Sequence, residues 1–148
     1  MGGLTNYYVQ NLMYTCAYAP EKFKGTMACD LFYKAMKINK SVTPGDCYIV
    51  NLSSSNHSGS HFVAVFFVGN NKAEYFDPYG SVSYDKYLNM AFSCIDMRIT
   101  HFEKPIQANK SQFCGFFCGK LPKIEQNENN FNTFVFFIFQ LHIFFVGK

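Results

Sequence analysis

Apolar residues recur along the chain in two different periods, and these set the expected elements. Leu4 to Met13 carries helical spacing and predicts a short helix, with Thr5 or Asn6 as its N-cap. A loop through Pro20 and Gly25 follows, and Met27 to Met36 returns to the helical period. Pro44-Gly45, inside Asn39 to Asp46, marks a turn. Cys47 to Leu52 (CYIVNL) is β-branched and aromatic and predicts a strand. Beyond the polar stretch Ser53 to Ser60, His61 to Val68 (HFVAVFFV) is the most strand-like run in the chain. Gly69-Asn70-Asn71 joins it to Ala73 to Phe76 (AEYF), which predicts a hairpin. Asp77-Pro78-Tyr79-Gly80 ends that strand, Tyr84 to Ala91 reads as a helix, and Arg98 to Phe102 as a further strand. A loop through Pro105 and Gln107 follows, and Cys114 to Cys118 is expected to open another helix. The order predicts an α+β fold with a mixed, mainly antiparallel sheet and flanking helices.

The C-terminal stretch departs from this plan. Lys120 to Asn130 is polar, and Phe131 to Val146 is then almost wholly apolar, broken by Asn132, Thr133, Gln140 and His142. Its longest uninterrupted apolar run, Phe134 to Phe139, is six residues. A membrane-spanning helix needs about 20. A buried helix or an aggregation-prone segment is expected instead, without stable membrane insertion.

Composition narrows the class. With 49% hydrophobic and 16% charged residues, the 148-residue chain is too apolar and too weakly charged for intrinsic disorder. The length suits one domain and argues against a two-domain enzyme. A formal charge of +3, with Arg98 the single arginine and no basic stripe, does not fit a dedicated nucleic-acid binder, although it permits weak nucleic-acid binding. A monomer is expected. The six cysteines permit a disulfide framework, but the start, Met1-Gly2-Gly3-Leu4-Thr5-Asn6-Tyr7, has neither a basic segment followed by an apolar run nor Ser or Thr at the position myristoylation requires. The expectation is a reducing intracellular compartment, nucleus or cytoplasm, in which unpaired thiols are candidates for chemistry.

Three polar residues stand at predicted element ends, where scaffolds display functional groups. His61 opens the strongest strand, Asp77 ends its hairpin partner, and Cys114 precedes Gly115 at an expected helix start. The hairpin brings His61 and Asp77 to the same end of the sheet. An acid there accepts an imidazole N–H, fixes the tautomer and stabilises imidazolium. A thiol at a helix N-terminus meets unpaired N–H groups that favour thiolate. Gln107, seven residues before Cys114, is a candidate oxyanion donor together with the Cys114 N–H. Taken singly, each has a structural reading: a histidine at a strand start, an Asp-Pro turn former, a small thiol packed beside glycine. Taken together, in the order His, Asp, Gln, Cys, they describe a thiolate–imidazolium nucleophile.

The same residues carry a family resemblance. Gly59-Ser60-His61-Phe62-Val63-Ala64-Val65, Tyr75-Phe76-Asp77-Pro78-Tyr79-Gly80, Gln107, and Ser111-Gln112-Phe113-Cys114-Gly115-Phe116-Phe117-Cys118 are similar to the adenovirus protease (adenain) family. That branch includes proteases of Polinton/Maverick virus-like transposons and, more distantly, the SUMO-specific Ulp proteases. Leu4-Thr5-Asn6 and Phe23-Lys24-Gly25 through Asp30-Leu31 resemble the start of the transposon-encoded members, so the likeness covers residues 4–118. It implies a papain-like cysteine proteinase core in permuted order. Cys114 would be the nucleophile, His61 its base and later the acid, Asp77 the residue orienting His61, and Gln107 a wall of the oxyanion hole. No cofactor is implied. The substrates would be proteins cut near Gly, either viral-type precursors or ubiquitin-like proteins.

Two departures bear on this expectation. The family has Trp after the histidine, where this chain has Phe62 and no Trp anywhere. Downstream, Gly119-Lys120-Leu121-Pro122 opposes a helix running on from the nucleophile. Residues 119–148 therefore read as non-family sequence after a truncated domain. Seven of the 18 Phe fall between Phe131 and Phe145, so the aromatic excess divides between a packed core and this tail. Two other readings follow: an inactive remnant acting at most as a binding module, and a zinc-binding interaction module using His57 and His61 (H-x3-H) with Cys114 and Cys118 (C-x3-C).

Overall fold

The computed structural model describes residues 5–15, 22–57, 61–81 and 85–102. Gln107, Cys114 and Cys118, the expected helix at Cys114, and residues 119–148 lie outside the described residues. The described chain is α+β. Its elements are α1 (Asn6–Thr15), β1 (Phe23–Ala28), α2 (Cys29–Asn39), β2 (Cys47–Asn51), β3 (Phe62–Gly69), β4 (Lys72–Phe76), α3 (Lys86–Cys94) and β5 (Arg98–Phe102).

The five strands form one sheet in chain order, β1-β2-β3-β4-β5. The central pairings β2–β3 and β3–β4 are antiparallel, while β1–β2 and β4–β5 are parallel. Four strands therefore point one way and β3 alone runs back. This corrects the expectation of a mainly antiparallel sheet. Parallel neighbours need crossovers, and each flank supplies one helix: α2 between β1 and β2, α3 between β4 and β5. Both crossovers step in the same lateral direction from strands of the same direction. Crossovers of one hand then put both helices on one face.

That face is the core. α2 turns Cys29, Phe32 and Met36 inward at helical spacing, and α3 turns Leu88, Ala91 and Phe92 inward. They pack with each other and on Val50, Val63, Val65, Phe67, Ala73 and Tyr75 of the sheet. Phe32 meets Tyr48 and Phe92 edge to face, at 5.3 and 6.3 Å between ring centroids. The opposite face of β3 is also buried at Phe62 and Ala64, so β3 is a central strand covered on both sides from Phe62 to Val65.

Several local expectations meet their elements closely. Thr5 caps α1 through its hydroxyl, which accepts the Tyr8 N–H at 3.2 Å. Asp85 caps α3 in the same way, accepting the Tyr87 N–H at 2.7 Å. The β3–β4 turn holds Asn70 and Asn71 at φ 52° and 57°, the left-handed pair a two-residue hairpin requires. The largest correction is β1, in a stretch expected to be loop as far as Met27 and Ala28, the expected opening of a helix. Gly25, at φ 136°, sits where the register with β2 shifts, so this glycine marks a bulge inside a strand and not a chain break. On the β1 edge the Thr26 N–H donates to Gln10 of α1 at 3.2 Å. Among the described residues no helix is long and apolar enough to cross a membrane.

Candidate active site

One end of the sheet gathers the C-terminal ends of β1, β2, β4 and β5 and the start of β3. In sheets with crossover helices, functional groups collect outside strand ends of this kind. Here β3 matters because it alone runs the other way. His61, just before it, meets Asp77, just after β4.

The register accounts for the meeting. Ala64 pairs with Phe76 at the last step of the ladder, so the residues leading into β3 lie beside the turn that follows β4. The His61 carbonyl accepts the Leu52 N–H at 2.8 Å, which ties the residue to the end of β2. Its imidazole Nε2 lies 2.7 Å from Asp77 Oδ1. Both groups are withdrawn from water, with side-chain exposures of 16% for His61 and 3% for Asp77. An ionised carboxylate only accepts, so Nε2 carries the hydrogen and Nδ1 is the basic nitrogen of the neutral ring.

Asp77 is itself held in a turn. Its carbonyl accepts the Gly80 N–H at 2.8 Å, and its Oδ1 accepts the Tyr79 N–H at 2.8 Å. Pro78 is buried and Gly80 takes φ 71°. This is an Asx-type turn closed by proline and glycine. The Tyr79 ring stacks on the His61 imidazole, with centroids 4.6 Å apart and planes 25° apart.

The segment that leads into His61 is anchored from α2. Asp30, in the first turn of α2, accepts the Ser55 N–H and the Ser55 hydroxyl, one on each carboxylate oxygen, both at 2.7 Å. Burial raises the Asp30 carboxyl. The two Ser55 hydrogen bonds, its own backbone N–H and Lys34 outweigh that and hold it below the ordinary carboxylate value. Asn51 adds a second tie, accepting from the Ser53 N–H at 3.0 Å and donating to Asn6 of α1 at 2.8 Å. Phe62, where the resembling family has Trp, is 2% exposed in the buried sheet.

Of the four expected site residues, His61 and Asp77 are in contact. Gln107 and Cys114 lie outside the described residues. β5 ends at Phe102, paired with Phe76 immediately before Asp77, so the last described residue stands at the His61–Asp77 end of the sheet. Two of the three described thiols belong to the core. Cys29 and Cys47 are buried, and Cys94 is half-buried. Burial, then the charge and hydrogen bond of Asp85, push Cys29 up to about 12, and burial followed by the Asp46 charge does the same to Cys47.

Among the described residues no three His, Cys, Asp or Glu side chains gather as a metal site. His57, the partner of His61 in the zinc reading, is exposed, with its Nδ1 2.9 Å from Ser54 Oγ. Sequence reasoning did not single out Tyr79, Asn51 or Asp30 for any role. Comparison of the chain with protein-family models and with curated proteins finds no match.

Proposed function

We propose that this chain is a cysteine endopeptidase with a papain-like core of the adenain/Ulp type. It would cut viral-type precursors or ubiquitin-like proteins near Gly. The observation that carries the reading is the 2.7 Å contact of His61 Nε2 with Asp77 Oδ1 at a sheet end. The resemblance at Gln107 and Cys114 supplies the remaining groups, in the segment that follows Phe102. The Asp77 charge favours imidazolium, and a thiolate at Cys114 pairs with it.

In the proposed reaction the Cys114 thiolate adds to the scissile carbonyl carbon, and the resulting oxyanion is met by the Gln107 amide and the Cys114 N–H. Imidazolium of His61 gives its proton to the leaving amine as the C–N bond breaks, leaving a thioester on Cys114. Neutral His61 then takes a proton from water as hydroxide adds to the thioester carbonyl. Collapse releases the carboxyl product and restores thiolate and imidazolium. Asp77 keeps the ring in the Nε2–H form throughout. Phe62 in place of Trp keeps an apolar ring in the sheet, and no step of this chemistry requires an indole N–H.

The test is cleavage of a Gly-containing peptide and of a ubiquitin-like precursor by the full chain, set against Cys114→Ala and His61→Ala. Cleavage by the wild type alone, with a fall of about 1,000-fold or more in each variant, is expected. Equal behaviour of wild type and Cys114→Ala on both substrates would favour the remnant reading. Stoichiometric bound zinc with an unreactive Cys114 would favour the zinc module.

A further inference from the structure

We infer that Tyr79 is a positioning residue for the His61 imidazole, acting through the plane of the ring; the inference rests on the peptidase reading. A hydrogen bond from Nε2 to Asp77 fixes one ring atom, and about that axis the imidazole can still tilt. A stacked partner fixes the plane. His61 has both, with Asp77 Oδ1 at 2.7 Å and the Tyr79 ring centroid at 4.6 Å and 25°. Together they define the direction of Nδ1, the nitrogen that must exchange a proton with the nucleophile.

The three residues form a closed unit. Asp77 Oδ1 receives the His61 ring and also the Tyr79 N–H, at 2.8 Å. The acid that orients the histidine thereby also sets the backbone carrying the ring stacked on it. Pro78 and Gly80 hold the turn in which this is possible. An aromatic face beside the ring has a second effect. Its quadrupole attracts a cation, so the stack favours imidazolium over neutral imidazole. The stacked ring carries both effects.

The discriminating variants are Tyr79→Phe and Tyr79→Leu in the full chain, read by peptide kinetics and by NMR of the His61 ring, assigned by comparison with His61→Gln. Tyr79→Phe is expected to keep kcat within about twofold. Tyr79→Leu is expected to lower kcat about 10–100-fold with KM changed less than about twofold, the pattern of a misplaced catalytic group. Ring-current displacement of the His61 carbon-bound protons is expected in wild type and Tyr79→Phe and lost in Tyr79→Leu. Unchanged kcat in a folded Tyr79→Leu, or His61 protons without the displacement in wild type, would overturn the inference. A wild type that shows no Cys114-dependent cleavage would overturn the peptidase reading, while the ring-current comparison still decides whether Tyr79 sets the ring.

Discussion

At the scale of single residues, the difference between the cysteines is one of environment. Cys29 and Cys47 are 1% and 2% exposed, and burial pushes both thiols up to about 12. They remain neutral and shielded at any ordinary pH. The proposed nucleophile requires the opposite, a thiolate stabilised by imidazolium. Brief iodoacetamide treatment of the folded chain at pH 6 separates the two cases, because an ordinary thiol of pKa about 8.5 is less than about 1% ionised there. Mass mapping is expected to find Cys114 modified first and Cys29 and Cys47 untouched until the chain is unfolded. Labelling of Cys29 or Cys47 at the rate of Cys114 would contradict this account of the thiols.

Elements transmit these placements through a few buried side chains. α3 is the crossover that lets β5 lie parallel to β4, and Leu88 is its largest fully buried side chain, in one core cluster with Ala91 and Phe92. Leu88→Ala removes those contacts and leaves a cavity, with an expected cost of about 2–5 kcal/mol. A urea titration reads it as a fall in midpoint at unchanged slope. At this scale legibility was uneven. β2, β3, β4 and β5 were readable because each combines β-branched or aromatic residues with a turn signal at its end. The strand β1 (FKGTMA) was not, since Gly25 imitates a loop and Met27 fits a helical period equally well. What makes it a strand is its pairing with β2, from Phe23 against Cys47 to Ala28 against Asn51, information that lies outside the segment itself.

Across the whole molecule, two carboxylates give stability opposite dependences on pH. Asp30 has a folded value below its unfolded one, so its contribution is complete above the ordinary carboxylate value and is lost as pH falls through the folded value. Glu74 is raised by burial, so the folded state holds its proton more tightly than the unfolded chain. Stability is therefore lost as pH rises from the ordinary carboxylate value through the raised one, and the charged form carries a cost at neutral pH. Asp30→Asn is expected to lower stability at pH 7 by about 1.5–3 kcal/mol through the charge-assisted bonds to Ser55, and to flatten the acid limb. Glu74→Gln is expected to raise stability at pH 7 and leave it unchanged near pH 3. Urea unfolding of both variants between pH 3 and pH 8 measures the two slopes; a gain for Glu74→Gln confined to acid would refute the burial argument.

Local sequence by itself determined the α+β class, the hairpin through Asn70 and Asn71, a cap at Thr5 or Asn6, and the placing of His61 and Asp77 at one end of a sheet. Those features depend on short-range physics: side-chain periodicity, turn conformations and the alternation of a paired strand. Tertiary structure alone decided the parallel flanks, since crossover direction depends on where a helix finds an apolar face to cover. It also decided the stacking of Tyr79 on His61 and the anchoring of Ser55 by Asp30, 25 residues away in the chain. Contacts of that range are set by packing and by the need to satisfy buried charge, and neither is encoded in the neighbours of the residues concerned.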